Sequence, residues 1–190
     1  MCQMEWIVKE RVIEVWDDGH LWRTLDKVFF RRNLKKLQAS KQLEDDLLEI
    51  EQEAAWKYVL QLLSRRGYFS HEIRQKLALR HVQASVIQQA IEKAEHYDYL
   101  NDQRELDHAI QCRQGKGPRR LLMDLKRRSG MDENMLEQFI QKMLPTDVCV
   151  KQGKALIERR YLLPKDRNKA FGFLMRRGYE MDHIQKILQD

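Results

Sequence analysis

Cysteine is scarce in this chain, and its three copies, Cys2, Cys112 and Cys149, lie far apart. An odd number with no close pair argues against a disulfide framework and a Cys-x-x-Cys zinc half-site, and it favours a reducing, cytoplasmic setting. Cys112 and Cys149 have no nucleophile context and read as small core residues. Proline and glycine are few, so no stretch has the composition of a linker. Long apolar runs are missing too. Nothing approaches the roughly 20 residues that span a bilayer, and Glu5, Lys9, Glu10 and Arg11 break up the start, so neither a membrane span nor a signal peptide is expected. Signatures of catalysis are also lacking. His71-Glu72 has Gln75 where a zinc protease needs its second histidine, and no Gly-x-Ser-x-Gly occurs. His20, His81, His96, His108 and His183 are scattered, which suits surface or capping roles. The expectation is a protein that is not an enzyme, with no catalytic residue, no cofactor and no metal.

Charge is plentiful. A charged fraction of 34% and a net charge of +6 permit contact with nucleic acid without requiring it. The acids gather in residues 43–53, where Glu44, Asp45, Asp46, Glu49, Glu51 and Glu53 stand without a base. The bases gather later. Residues 113–128 hold Arg113, Lys116, Arg119, Arg120, Lys126, Arg127 and Arg128 against one acid, Asp124, and residues 151–177 are similarly basic.

A helical pattern recurs three times. Ile73, Leu77, Ile87 and Ile91 form two i,i+4 apolar pairs separated by a break. Leu121, Leu125, Leu136 and Ile140 repeat this, as do Ala170, Leu174, Ile184 and Leu188. Each set predicts two helices around a tight corner with their apolar faces turned to a shared core. Adding one preceding helix per copy gives nine helices in three repeats, over residues 41–101, 102–145 and 146–190. Residues 1–40 differ. Trp6-Ile7-Val8 and Val12-Ile13-Glu14-Val15-Trp16 are strand-forming, Asp17-Asp18-Gly19-His20 is a turn, and Leu21-Trp22-Arg23-Thr24-Leu25 follows, which predicts a β-hairpin. A lone hairpin is marginal in water, so it must rest on the helices, on a partner or on a second copy. Asp26 is expected to cap a short helix carrying Phe30, Leu34 and Leu37, and a long helix is expected from Gln42 to Arg66 with Leu43, Leu47, Ile50, Ala54, Tyr58 and Leu62 as its stripe. Ser70, Ser85 and Asp132 are expected as N-caps, Asp102 as the opening of a helix, and Pro118 and Pro164 as first helical residues.

Five adjacent arginine pairs stand out: Arg65-Arg66, Arg119-Arg120, Arg127-Arg128, Arg159-Arg160 and Arg176-Arg177. Cations collect at helix C-termini, where they neutralise exposed carbonyls, and this covers Arg65-Arg66, Arg127-Arg128 and Arg176-Arg177. It does not cover Arg119-Arg120 at a helix start. Such arginines grip phosphates or acidic protein patches. Tyr68, Tyr161 and Tyr179 beside the pairs suit either contact or core. Gly115-Lys116-Gly117-Pro118 has the look of a phosphate-holding turn, but Pro118 removes an amide donor and no Walker pattern follows. A plain helix-to-helix turn is the preferred reading.

Tyr99-Leu100-Asn101-Asp102, then Gly115-Lys116-Gly117-Pro118-Arg119-Arg120-Leu121, Leu125 and Gly130-Met131 resemble the central signature of the RecX family, regulators of the bacterial recombinase RecA. Phe173-Leu174-Met175-Arg176-Arg177-Gly178-Tyr179 with Ile184 is similar to that family's C-terminal repeat, and Ser70-His71-Glu72-Ile73 with Lys76-Leu77 to its first. The resemblance covers about residues 52–189, and the longer members begin with a small strand-containing segment. Departures are Glu105 and Leu106, where the family has an aromatic-small pair, and Lys116, where an aromatic is common.

The resemblance implies a mainly α protein: three tandem three-helix repeats in an elongated, curved array. It also implies binding in the groove of the RecA–DNA filament and a lowering of its ATPase, strand-exchange and coprotease activities. A monomer is expected. Lys116, Arg119, Arg120, Arg127, Arg128, Arg159, Arg160, Arg176, Arg177, Arg65 and Arg66 are the expected contact residues, towards RecA or towards single- or double-stranded DNA. The alternative is a helical repeat protein that binds nucleic acid without a recombinase partner.

Overall fold

Strand-forming residues at the start of the chain alternate with polar ones, and they pair as that alternation requires. In the computed structural model, which describes residues 4–112, 115–160 and 166–189, three strands form an antiparallel sheet in the order β1 (Met4–Val8), β2 (Val12–Asp17) and β3 (His20–Asp26). The expected hairpin is β2–β3. Its two-residue turn is Asp18-Gly19, both with positive φ (44° and 80°), which suits the twist of the flanking strands. The hairpin becomes a three-stranded meander because Trp6, Ile7 and Val8 pair separately with Val15, Glu14 and Ile13. Cys2, Arg113, Tyr161 and Pro164 lie outside the described residues.

The chain divides into two compact units, Met1–Asp102 and Gln103–Asp190. In the first, Asp26 caps α1 (Lys27–Phe30), accepting from the amides of Val28 at 2.8 Å and Phe29 at 3.2 Å. A single 3₁₀ turn and α2 (Leu34–Gln38) follow, then α3 (Leu43–Leu63), a rod of about 31 Å. The sheet face formed by Ile13, Val15 and Leu25 is buried against Phe30, Leu37, Leu47 and Ile50. The hairpin therefore rests on the protein's own helices. Helix α3 stops at Leu63, short of Arg66, and Arg65-Arg66 stand in the turn beyond it. Its buried stripe runs Leu47, Ile50, Glu51, Ala55, Val59 and Leu62, so Ala55 and Val59 replace the expected Ala54 and Tyr58. The cause is a change of partner along the helix. The first half meets the sheet cluster, and the second meets α4 (Ser70–Ala78) and α5 (Ala84–His96). Tyr58 turns instead to Phe29, edge to face at 5.8 Å.

Glu51 lies fully buried on this stripe, held by Arg23 Nη2 at 2.9 and 3.1 Å. With its carboxamide turned, Gln83 also accepts from Arg23 Nη1 at 3.0 Å. Burial pushes the Glu51 carboxyl above its ordinary range, against the pull of Arg23. A carboxyl raised in the folded state contributes stability that is complete below its unfolded value and is lost as pH rises through its folded value. Glu51→Gln keeps the shape but strips the Arg23 guanidinium, 12% exposed, of its counter-charge. Thermal unfolding should show a loss of about 2 kcal/mol. Arg23→Met with Glu51→Leu should recover most of it, because no buried charge is left alone. A double variant no more stable than Glu51→Gln would contradict this account of the pair.

Two expected caps are displaced. Phe69 and Gln83 occupy the cap positions of α4 and α5, which puts Ser70 and Ser85 inside the first turns. The end of α4 is served from a distance: Asp102 accepts from the Ser70 amide at 2.7 Å and from its hydroxyl at 2.6 Å. That carboxylate belongs to the first residue of α6 (Asp102–Gln111).

The second unit contains the remaining helices: α7 (Pro118–Ser129), α8 (Glu133–Met143), α9 (Thr146–Glu158), α10 (Arg167–Arg176) and α11 (Met181–Leu188). Pro118 is the first residue of α7, and Asp132 caps α8 through the amides of Asn134 and Met135, as expected. Helix α10 begins at Arg167, later than the expected start. The predicted apolar pairs are buried in all three copies, except that Ile187 takes the buried place of Leu188. Cys149 is a core residue, whereas Cys112 is exposed with its Sγ 3.4 Å from His108 Nε2. His183 is buried, contrary to the surface role expected of it. No helix among the described residues is long and apolar enough to cross a membrane.

Candidate functional site

The arginine pairs differ in what their local structure does with them. Helix α10 ends in a two-bond left-handed cap. The Gly178 amide donates to the Met175 carbonyl at 2.9 Å and the Tyr179 amide to that of Leu174 at 3.1 Å, with Gly178 at φ +82°. This cap leaves Arg176 exposed and Arg177 half-buried over the Phe173 ring, and sends Tyr179 into the core.

Against that cap sits the start of α7. The Gly117 amide donates to Arg177 O at 2.8 Å, and the Arg119 amide to Gly178 O at 3.1 Å. The approach is backbone on backbone. A Cβ at Gly117 would fall 2.4 Å from the carbonyl carbon and oxygen of Gly178 and from the Tyr179 nitrogen. One at Gly178 would fall 2.4 Å from Arg120 Cβ and 2.5 Å from its nitrogen. Two glycines thus create a seam that side chains forbid.

The seam has two consequences. The first concerns the anion-holding turn: the Gly117 and Arg119 amides already donate to carbonyls and Pro118 has none to offer, so the plain-turn reading stands. The second concerns Arg119-Arg120. The start of α7 faces the carbonyl end of another helix, so its positive end is offset and cations there lose much of their penalty.

The seam also gathers basic residues that the sequence spreads over some sixty positions. Arg119 and Arg120 lie on one side, Arg176 and Arg177 on the other. Lys116 reaches Asp124 at 2.6 Å, and Arg120 Nε lies 3.8 Å from the same carboxylate. Arg160 and Arg177 both stand over the Phe173 ring, at 4.9 and 5.2 Å from its centroid, which brings the Arg159-Arg160 turn to the end of α10. Among the described residues the side chains of Arg119, Arg159 and Arg176 have no hydrogen-bond or ion-pair partner and are exposed.

The other pairs are held differently. Arg127 is exposed in the last turn of α7, and Arg128 is paired with Glu105 at 2.7 Å. In the first unit Arg65 is exposed, while Arg66 binds Glu72 at 2.7 Å and covers the Tyr68 ring at 3.7 Å. The Glu72 hydrogen bond raises the Arg66 pKa further. Tyr68 and Tyr179 are both buried, so neither is a contact aromatic. Sequence reasoning found these cations but not their convergence. The only hint was a glycine beside each of the two arginine pairs that meet.

The chain matches family models described as the first three-helix domain of RecX, over residues 55–93, and the third three-helix domain of RecX, over residues 154–188. A regulatory protein RecX from Actinobacillus pleuropneumoniae is 30% identical over 142 residues, covering 70% of this chain and 90% of that protein. One from Caldanaerobacter subterraneus is 25% identical over 185 residues, covering 95% and 93%. The crystal structure of RecX from Lactobacillus salivarius has the same fold, with a TM-score of 0.61 at 22% identity, covering 73% of this chain and 95% of that one.

Proposed function

We propose, since this chain belongs to the RecX family of regulatory proteins, that it regulates the recombinase RecA in the cytoplasm by binding the RecA–DNA filament and lowering its activities. It does so without catalysis of its own, as a monomer. The observation that carries this reading is the glycine seam, which brings the Arg119-Arg120 and Arg176-Arg177 backbones together in the second unit, with the Arg160 guanidinium over the same Phe173 ring as Arg177. Guanidinium groups held in this way suit acidic protein patches and phosphates, both of which a nucleoprotein filament offers. The remaining arginines, Arg65, Arg66, Arg127 and Arg128, are contacts in the same reading. So is the division into an N-terminal segment of residues 1–40 and repeats of residues 41–101, 102–145 and 146–190. Small stacked helical units that each meet the filament gain affinity by multivalency.

The direct test is RecA's ATP hydrolysis on single-stranded DNA with and without this protein. The expected result is a dose-dependent fall that reaches its floor near one protein per few RecA subunits. No change at stoichiometric excess removes the proposal. The same cationic surface favours one other reading, a module for nucleic acid alone. That reading predicts tight binding to bare DNA or RNA with steep salt dependence and no effect on RecA.

A further inference from the structure

Beside the cationic surface, the facing sides of α7 and α8 leave a groove of about 440 Å³. Pro118, Leu122 and Ile140 supply apolar lining, and Met123, 62% exposed, stands at its edge. Its charged lining is Glu133, Glu137 and Glu180 with Arg119. Glu133 is paired with Lys126, but Glu137 and Glu180 have no cation partner among the described residues. The groove therefore presents two uncompensated carboxylates against one guanidinium, directly beside the most basic part of the chain.

That combination excludes a polyanion from the groove itself, because Glu137 and Glu180 would repel its phosphates. It suits a polypeptide. An apolar side chain can enter between the helices, with Met123 adapting to its shape, while a lysine or arginine next to it meets Glu137 or Glu180 and an acid meets Arg119. We propose that the α7–α8 groove receives a segment of the protein partner that carries an apolar residue beside a basic one. The inference rests on the proposed function for the partner's identity, and it assigns the partner's protein, not its DNA, to this groove.

The experiment compares wild type with Met123→Glu and Glu137→Lys, each an exposed position whose change leaves the core alone. Binding is measured to RecA filaments assembled on a thymine oligonucleotide and, separately, to that oligonucleotide bare. The expected result is a loss of filament affinity of about tenfold for each variant, with binding to the bare strand unchanged or slightly weaker for Met123→Glu, which adds a negative charge, and unchanged or tighter for Glu137→Lys. Melting curves matching wild type show that the fold is intact. If both folded variants bind filaments as wild type does, the groove is not a docking site, although the proposed function survives. If Met123→Glu weakens the bare strand as much as the filament, the occupant is nucleic acid and the inference fails. If wild type does not bind filaments at all, the proposed function fails and takes this inference with it.

Discussion

Gly178→Val should unfold the second unit at a temperature roughly 15–30 °C below wild type. Two effects add. At φ +82° a residue with a Cβ is strained by about 1–2 kcal/mol, and more if it is β-branched. The new carbons also strike Arg120 at its nitrogen and Cβ, backbone that cannot give way as a flexible side chain does. Overpacking of this kind costs about 1–3 kcal/mol. Relief by parting α7 from the end of α10 gives up the Gly117–Arg177 and Arg119–Gly178 hydrogen bonds. The sum is about 4 kcal/mol, close to the whole stability of many small domains. Gly172→Ala is the matched control. It lies within α10, and its Cβ would meet only the end of the Arg176 side chain at 3.4 Å. It should be neutral or stabilise by about 0.5–1 kcal/mol. Circular dichroism melts of both variants check this, and a Gly178→Val melt within a few degrees of wild type would contradict the seam.

Much of the fold was legible because it is written in local periodicity. The i,i+4 pairs Ile73/Leu77, Leu121/Leu125 and Ala170/Leu174 are buried in three separate helices, and Asp26, Pro118 and Asp132 begin helices as their chemistry requires. What was not legible is what depends on distant residues. Glu51 reads as one acid among six until Arg23 arrives from a strand 28 residues away. Ser70 and Ser85 look like caps because short hydroxyl residues usually are, but Asp102 reaches back 32 residues to serve α4. Arg65-Arg66-Gly67-Tyr68 and Arg176-Arg177-Gly178-Tyr179 are identical in letters and differ in structure. The second string turns through a left-handed glycine that carries the seam, whereas Gly67 has no positive φ. The four letters do not distinguish them; the second string is the one that packs against Gly117.

Reversing two charges on the seam should have the largest effect on function. Arg119→Glu with Arg120→Glu changes the surface by four units of charge where Arg119 has no internal partner and Arg120 has only a 3.8 Å contact with Asp124. Each reversal replaces an attraction by a repulsion, and the pair together is expected to cost about 3 kcal/mol of filament binding, or roughly 150-fold. Inhibition of RecA's ATP hydrolysis should disappear at concentrations where wild type is saturating. Arg119→Lys with Arg120→Lys keeps the charge and loses the planar fork, and it should fall between the two. Arg128→Glu is not an equivalent control, because it breaks the pair with Glu105 and introduces instability of its own. Arg127→Glu, exposed in the last turn of the same helix, reverses a contact outside the seam and should cost less than the double reversal. A double reversal that binds filaments as well as wild type would show that the seam cations are not the contact.

The central claim is that this surface meets a protein filament and not merely the strand inside it. The measurement that separates these is an equilibrium titration of the labelled protein at about 0.15 M salt, where exposed charges are largely screened beyond roughly 8 Å. One arm contains RecA filaments formed on a single-stranded oligonucleotide, the other the same oligonucleotide alone. Filament affinity at least about tenfold above that for the bare strand is the predicted result. Equal or tighter binding to the bare strand contradicts it.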